Sequence, residues 1–273
     1  SLKMKIALGQ LKIFWEDKKA NMEKLKICLK QLSDVDLFLM PEMSLTGFSM
    51  NTEKTKENKK ETVCQIRELA RQYDIAIGVG WVKDLGTTCE NHYSIISPEG
   101  ELLDYAKLHP FSYGEESLYF TGGDTLPLCS YKGFEIGVQI CYDLRFPEPF
   151  QILSQKADLI VVPANWPAAR RDHWDTLLRA RAIENQVYIA GINCAGSMGG
   201  QYYSGDSVLY RPDGTKVQAE RNILSGKEAI PEEAVFVYEI DNQIRKYRES
   251  FPVKKDRREA LYRKLGEHVR KHA

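Results

Sequence analysis

Three residues of different chemical types stand at the ends of predicted strands and could together carry out covalent chemistry. Cys141 follows the apolar run 134–140 and precedes a proline and a glutamate, a combination typical of a helix start. Glu42 lies just past the short apolar run 36–40, and Lys107 ends a third strand-like run. A cysteine nucleophile needs a base that takes its proton, and a nearby ammonium group stabilises the thiolate. The pattern therefore predicts nucleophilic attack by Cys141, with Glu42 as the proton acceptor.

The surroundings of these residues support the same chemistry. Apolar neighbours leave the carboxylate of Glu42 poorly solvated, which favours a raised pKa suited to proton transfer. Attack on an amide carbonyl creates an oxyanion, for which Lys107 and the backbone N–H of Tyr142 are the candidate donors. Taken singly, a free cysteine usually packs as a small hydrophobe, and a lone Glu or Lys is usually solvated. Three such residues at three strand ends favour the catalytic interpretation.

The elements that must position these residues alternate along the chain. Helical spacing of apolar positions predicts helices in residues 17–32, 57–73 and 171–186, and strand-like runs lie between them. Helices interleaved with strands indicate a layered α/β fold. The charged stretch 51–60 is predicted to be solvated. The 273 residues show no composition break or internal repeat, so we expect one large domain over residues 1–273.

Three motifs resemble those of the nitrilase, or carbon–nitrogen hydrolase, superfamily. PEMSLTGF, KLHPF and CYDLRFPE match that family's glutamate, lysine and cysteine motifs in the same chain order. The resemblance implies that Glu42 is the general base, Lys107 the family's lysine and Cys141 the nucleophile. It also implies a second glutamate in the loop after the lysine, for which Glu116 is the better match and Glu115 the alternative.

The resemblance extends from about Met4 to Lys254 and implies a four-layer α-β-β-α sandwich. The tail from about 254 is rich in charge and is expected to form either a surface helix or an arm. It also implies a homodimer in which helices near residues 146–156 and 171–186 pack against their mates. Cys194 departs from the pattern, because many members of the family carry Arg at this position.

The later segments, including NWPAARRDHW, look most like the branch that contains ω-amidases. This resemblance implies hydrolysis of the ω-amide of a short carboxylic acid, with 2-oxoglutaramate as the leading candidate. The distal carboxylate of such a substrate requires a cation, and Arg170 is the first candidate because Arg binds carboxylates through two parallel hydrogen bonds. Trp166 and Tyr142 are further candidates for the substrate pocket, although Trp166 fits the core equally well. Arg145 is predicted to form a structural ion pair.

Other activities of the superfamily, namely nitrile or N-carbamoyl hydrolysis, would keep the same catalytic residues and change the pocket. A non-enzymatic interaction protein on the same fold would be expected to lose one of Glu42, Lys107 and Cys141, and all three are present. A glutaminase domain would need an attached synthetase.

Composition limits the partners and the compartment. Lys and Arg together number 38 and so do Asp and Glu, and no basic stripe is interleaved with aromatic residues, so nucleic acid is not an expected partner. No apolar run approaches the length of a membrane span, and no signal peptide precedes Met4. The six cysteines are scattered without a CxxC pair, which favours a reducing cytoplasm. No residue cluster predicts a metal or another cofactor.

Overall fold

Two β-sheets pack face to face in the computed structural model, which describes residues 2–224 and 230–273. The strands are, in chain order, β1 (Lys3–Gln10), β2 (Leu37–Leu39), β3 (Lys56–Glu57), β4 (Ala76–Asp84), β5 (Cys89–Ser97), β6 (Gly100–Ala106), β7 (Cys129–Tyr131), β8 (Phe134–Val138), β9 (Leu159–Ala164), β10 (Tyr188–Asn193), β11 (Ala195–Met198), β12 (Gln201–Ser204), β13 (Val208–Tyr210), β14 (Arg221–Asn222) and β15 (Ala234–Asp241). The helices are α1 (Lys18–Leu29), α2 (Thr52–Thr55), α3 (Glu61–Tyr73), α4 (Glu116–Tyr119), α5 (Pro147–Leu153), α6 (Arg171–Asn185), α7 (Ile244–Ser250) and α8 (Glu259–His272). Single 3₁₀ turns span Cys141–Arg145, Ala168–Arg170 and Val253–Asp256.

The first sheet has the strand order β14-β15-β1-β2-β4-β5-β6, with β3 added beside β4. Its centre is parallel, because β2 pairs in parallel with both β1 and β4, while β4, β5 and β6 form an antiparallel meander. The second sheet has the order β13-β10-β9-β8-β7, and β8, β9 and β10 are parallel. Parallel strands place their carboxyl ends on one rim, where open α/β sheets gather functional residues.

Three apolar clusters define four layers. The central cluster joins the inner faces of the two sheets, with Leu8 and Tyr93 from the first sheet and Val138 and Val161 from the second. A second cluster packs α1 and α3 on the outer face of the first sheet, and a third packs α5 and α6 on the outer face of the second. Sequential helix, sheet, sheet and helix layers confirm the predicted four-layer α-β-β-α sandwich.

The prediction that residues 51–60 form a solvated stretch holds for most of these residues and fails at Thr55 and Glu57. This segment contains α2 and β3, and the side chains of Thr55 and Glu57 are buried. The carboxylate of Glu57 accepts the backbone N–H and the hydroxyl of Thr62, at 2.9 Å and 2.8 Å, and a hydrogen bond from Lys18 Nζ. The carboxylate of Glu57 is buried because it accepts a hydrogen bond from a backbone N–H in the first turn of α3, where the helix itself provides no acceptor.

The charged tail forms the helix α8, which lies on the surface with Tyr262, Leu265 and Val269 exposed. Of the two forms left open for the tail, the structure therefore has the surface helix. Within residues 2–224 and 230–273, no helix combines the length and the apolar character needed to cross a bilayer.

Candidate active site

The two sheets contribute different residues to one buried cluster. Glu42 lies in the turn after β2, and Lys107 directly follows β6. Both belong to the first sheet, whereas Cys141 comes from the second, at the start of the 3₁₀ turn after β8. The apolar strands end where the backbone leaves the sheet, so each polar side chain can turn toward the shared rim. The structure thus brings together the three residues that strand-end reasoning selected.

Glu42 and Lys107 form an ion pair removed from solvent. Lys107 Nζ donates to Glu42 Oε2 at 3.0 Å, and each side chain is at most 1 % exposed. The same ammonium donates to Glu116 Oε1 at 2.8 Å, and Glu116 is fully buried as well. Glu115 is exposed and adopts a left-handed backbone conformation with φ 65° just before α4. Of the two candidates for a second glutamate, the structure places Glu116 in the cluster.

Cys141 occupies a strained turn. Its φ is +47°, a left-handed value uncommon for a residue with a side chain, and such strain is concentrated at functional sites. The buried carboxylate of Asp143 fixes the turn by accepting the N–H of Ile140 at 2.9 Å and the hydroxyl of Tyr105 at 2.6 Å. The thiol of Cys141 is partly exposed and points its S–H toward the carbonyl oxygen of Asn165, at 3.8 Å.

The pKa values of Cys141, Glu42 and Lys107 are all raised, each through a different balance of burial and nearby charge. Burial raises the pKa of Cys141 well above its usual value, and the charge of Glu42 adds to this, while Lys107 opposes it. Burial also raises the pKa of Glu42, although Lys107 partly offsets it. Burial alone would lower the pKa of Lys107, but the charges of Glu116 and Glu42 raise it instead. The sequence predicts that Lys107 stabilises the thiolate, whereas in the folded chain burial and the charge of Glu42 outweigh its effect on the pKa of Cys141.

Asn165 connects the base to the nucleophile, a role that the sequence argument missed. It directly follows β9, and its backbone N–H donates to Glu42 Oε1 at 3.1 Å. Its side-chain amide donates to the carbonyl oxygen of Glu42 at 2.6 Å. Cys194 donates its S–H to Asn165 Oδ1 at 3.3 Å. Asn165 obeys the strand-end rule that identified Cys141, so the same signal could have found it.

Asn91 in β5 is a second residue that sequence reasoning did not select. It is 1 % exposed, and its amide nitrogen lies between Glu42 and Glu116. No sequence pattern distinguishes a polar residue of this kind from an ordinary strand position, because its partners come from distant segments.

Gly80 permits the turn that carries Glu42. A Cβ atom at Gly80 in β4 would lie 2.4 Å from the backbone nitrogen of Met43. The N–H of Gly80 donates to Ser44 Oγ at 2.7 Å, which fastens the turn to the strand. Met43 has φ +46°, so the chain bends sharply immediately after Glu42. The carboxylate is held by close backbone packing as well as by its ion pair.

A cavity of about 310 Å³ opens above the cluster, and Lys107 and Cys141 line it. The rest of its wall is largely aromatic, formed by Trp15, Phe48, Phe111, Tyr113, Tyr142, Trp166 and Tyr203. The side chain of Trp166 is buried and also lines the cavity. Tyr142 lies against the rings of Phe111 and Phe146.

Two arginines line the cavity beside the aromatic wall. The guanidinium of Arg170 lies 5.8 Å from the centre of the Phe111 ring, and that of Arg145 lies 4.8 Å from Trp166. Arg145 also contacts His173 Nδ1 at 3.2 Å. Among the described residues, neither arginine pairs with a carboxylate, so the predicted structural ion pair of Arg145 is wrong. Burial and the charge of Arg170 lower the pKa of Arg145, as expected for two cations that share a pocket.

Comparison with known proteins agrees with this geometry. The family model for carbon-nitrogen hydrolase matches residues 5–249, and the chain belongs to that family. It is 36 % identical over 207 residues to omega-amidase YafV of Yersinia enterocolitica, covering 76 % of this chain and 80 % of that protein. It is 32 % identical over 268 residues to 2-oxoglutaramate amidase of Bacillus subtilis, covering 96 % and 100 %.

A solved structure gives the same result at the level of the fold. XC1258 from Xanthomonas campestris, a CN-hydrolase superfamily protein with an arsenic adduct in its active site, superposes with a TM-score of 0.84. The two chains are 30 % identical, and the match covers 94 % of this chain and 98 % of that one. The resemblance in the three motifs is therefore confirmed across nearly the whole fold.

Proposed function

We propose that this protein is a thiol amidase that hydrolyses the ω-amide of a short carboxylic acid, of the 2-oxoglutaramate type, to the acid and ammonia. The observation that carries the proposal is a cysteine beside a buried Lys–Glu pair, in a small cavity that also holds two arginines without carboxylate partners among the described residues. The names of the two curated relatives support the same substrate class.

The reaction begins when Cys141 attacks the amide carbon while its proton passes to Glu42. This transfer leaves the net charge of the cluster unchanged, because a neutral thiol and a carboxylate become a thiolate and a neutral acid. Lys107 uses two of its three N–H bonds on Glu42 and Glu116. The third has no partner in the part of the chain that the structure describes, and it can stabilise the oxyanion. The N–H of Tyr142, in the first turn of its 3₁₀ helix, is the second donor.

Collapse of the tetrahedral intermediate breaks the carbon–nitrogen bond and leaves a thioester on Cys141. The proton held by Glu42 goes to the departing nitrogen, which leaves as ammonia. Glu42, again a carboxylate, then takes a proton from water as the water attacks the thioester, and the proton returns to the thiol as the acid is released. Glu116 holds Lys107 in place through its hydrogen bond with Nζ.

Selection of the substrate rests on the two arginines. An ω-amide with a free carboxylate places its negative charge at the far end from the amide, where Arg170 and Arg145 would receive it. The cavity of about 310 Å³ has room for an acid of about five carbons. Aromatic side chains around it exclude water from the reacting carbon, which strengthens each electrostatic contact.

A panel of small substrates tests this function by ammonia release. We expect turnover of 2-oxoglutaramate and succinamate that greatly exceeds turnover of a neutral amide of equal length, and none with Cys141→Ala. Turnover of nitriles or N-carbamoyl amino acids without turnover of ω-amides would replace the substrate class and keep the cysteine chemistry. Absence of turnover on every compound would favour an interaction protein on this fold.

The assembly and domain structure complete the proposal. We propose that the chain acts as one domain over residues 1–273, with α8 as a surface appendage, and that it forms a homodimer through α5 and α6. Ile152 and Ile183 on these helices are exposed apolar residues, consistent with a self-complementary contact.

A further inference from the structure

Asn91 contacts all three charged residues of the cluster, namely the carboxylates of Glu42 and Glu116 and the backbone of Lys107. Its amide nitrogen donates to Glu42 Oε2 at 2.9 Å and to Glu116 Oε2 at 3.0 Å. The main-chain carbonyl oxygen of Asn91 accepts the backbone N–H of Lys107 at 2.8 Å. One residue of β5 therefore holds the main chain of the lysine and sets the spacing of both carboxylates.

The two oxygens of Glu42 are placed in different environments by these contacts. Oε2 accepts from both Lys107 and Asn91, and an amide nitrogen can only donate. A proton on Oε2 would therefore meet hydrogens already pointing at it. Oε1 accepts only the N–H of Asn165 among the described residues, and the carbonyl of that same residue accepts the thiol of Cys141. Oε1 and the thiol of Cys141 are thus both in contact with the backbone of Asn165, one through its N–H and the other through its carbonyl oxygen.

Packing alone does not account for an asparagine at this position. Asn91 is 1 % exposed, and its Oδ1 has no hydrogen-bond partner within residues 2–224 and 230–273. A buried unsatisfied acceptor destabilises the folded state, and a leucine of similar size would avoid that loss. Departures from this rule concentrate at functional sites, where the side chain does something that stability does not require.

We propose that Asn91 is a positioning residue that engages Oε2 of Glu42, so that Oε1 is the oxygen that exchanges the proton with Cys141. This inference rests on the proposed role of Glu42 as the base. Asn91 also donates to Glu116 Oε2, and so helps to hold that second carboxylate against Lys107. The hydrogen bond from Asn91 lowers the pKa of Glu42, so its loss should raise the pKa of that carboxyl group further.

The test measures proton transfer at Cys141 without any substrate. Iodoacetamide is added to Asn91→Leu across a range of pH, and the alkylation rate of the Cys141 peptide is followed by mass spectrometry. We expect the acidic limb of the rate profile to move to higher pH, with about tenfold slower alkylation on that limb. Thr55→Val is the matched control, because Thr55 is also buried with an unsatisfied side-chain oxygen but lies outside the cluster. Its profile should equal that of the parent protein.

Asn91→Asp keeps the shape of the side chain and tests the inference if the leucine variant fails to fold. It adds a third carboxyl group to the cluster, so the acidic limb should move in the same direction and further. An unmoved limb in either folded variant overturns the inference. Glu42→Gln separates this result from the proposed function: if it removes the limb, Glu42 is the base whatever the natural substrate is. If Glu42→Gln leaves the limb in place, the base assignment fails, and the role of Asn91 fails with it.

Discussion

Arg170→Ala is the substitution that most directly probes how the protein recognises the charged end of its substrate. The guanidinium of Arg170 lines the cavity and makes no ion pair with another described residue, so its charge is available to a ligand. The guanidinium of Arg170 packs against the rings of Phe111 and Tyr113. Its backbone carbonyl oxygen accepts the indole N–H of Trp166 at 2.8 Å. Alanine keeps that backbone contact, so the cavity wall should survive.

The size of the effect follows from the lost ionic contact. A hydrogen bond to a charged group contributes about 1.5–3 kcal/mol. Arg145 remains in the pocket and retains part of the attraction, so we take about 2 kcal/mol, which corresponds to roughly 30-fold in kcat/KM. Stability should change by less than about 1 kcal/mol, since the lost cation–π contacts with Phe111 and Tyr113 are partly solvated. Removal of Arg170 also relieves its repulsion of Arg145.

The assay compares kcat/KM for 2-oxoglutaramate and for a neutral amide of equal length. Arg170→Ala should lower kcat/KM for the charged substrate far more than for the neutral amide. Arg170→Lys should give a value between those of Arg170→Ala and the parent protein, because a lysine keeps the charge without the two-pronged geometry. Arg171→Ala is the matched control, since this neighbour pairs with Asp206 at 3.2 Å and does not line the cavity. Equal losses on the two substrates would refute the assignment of Arg170 to the carboxylate.

Three further predictions concern the same cluster, and a fourth concerns the assembly. Cys141→Ala should abolish turnover, and Glu42→Gln and Lys107→Met should each lower kcat by at least about 10³-fold, because these groups act as a unit; near-normal ammonia release would contradict this. Since Glu42 must be ionised to accept a proton and burial raises its pKa, kcat/KM should fall on acidification at a higher pH than an exposed glutamate would give, as a pH–rate profile will show. Limiting iodoacetamide should label Cys141 before the exposed Cys64, because Glu42 removes the thiol proton; peptide mapping that finds Cys64 labelled first argues against an assisted thiol. Light scattering at micromolar concentration should give the mass of a dimer, and a monomer would reject the contact through α5 and α6.

The strand ends of the site were predictable because apolar runs and chain breakers are local signals. The run before Cys141 ends at the second sheet's rim, and the run before Glu42 ends at the first sheet's rim. The helix predicted over 171–186 is observed at Arg171–Asn185, whereas the helix predicted over 17–32 is observed only at Lys18–Leu29. Helix ends fray and depend on capping by other segments, so their bounds are less well encoded.

The parts of the site that sequence could not supply depend on tertiary contacts. Asn91 acts through residues 49 and 25 positions away, and nothing near it in the chain indicates those partners. Arg145 was expected to be paired because partly buried arginines usually are, but its neighbours are Trp166, His173 and another arginine. The balance of charges around Cys141 likewise depends on burial depth, which no local pattern reports.

Because the cluster is divided between two sheets, catalysis depends on the docking of those sheets. Glu42, Lys107 and Asn91 belong to one sheet and Cys141 and Asn165 to the other, so neither half can fold into a competent site alone. During synthesis, the first sheet also waits for β15, which pairs with β1 along Lys3–Gln10. A nascent or partly unfolded chain would therefore carry an ordinary unassisted thiol, and the reactive state would arise only when the layers dock. Enzyme activity is accordingly a sensitive reporter of sheet docking, and we expect it to disappear at denaturant concentrations where helix content is still nearly native.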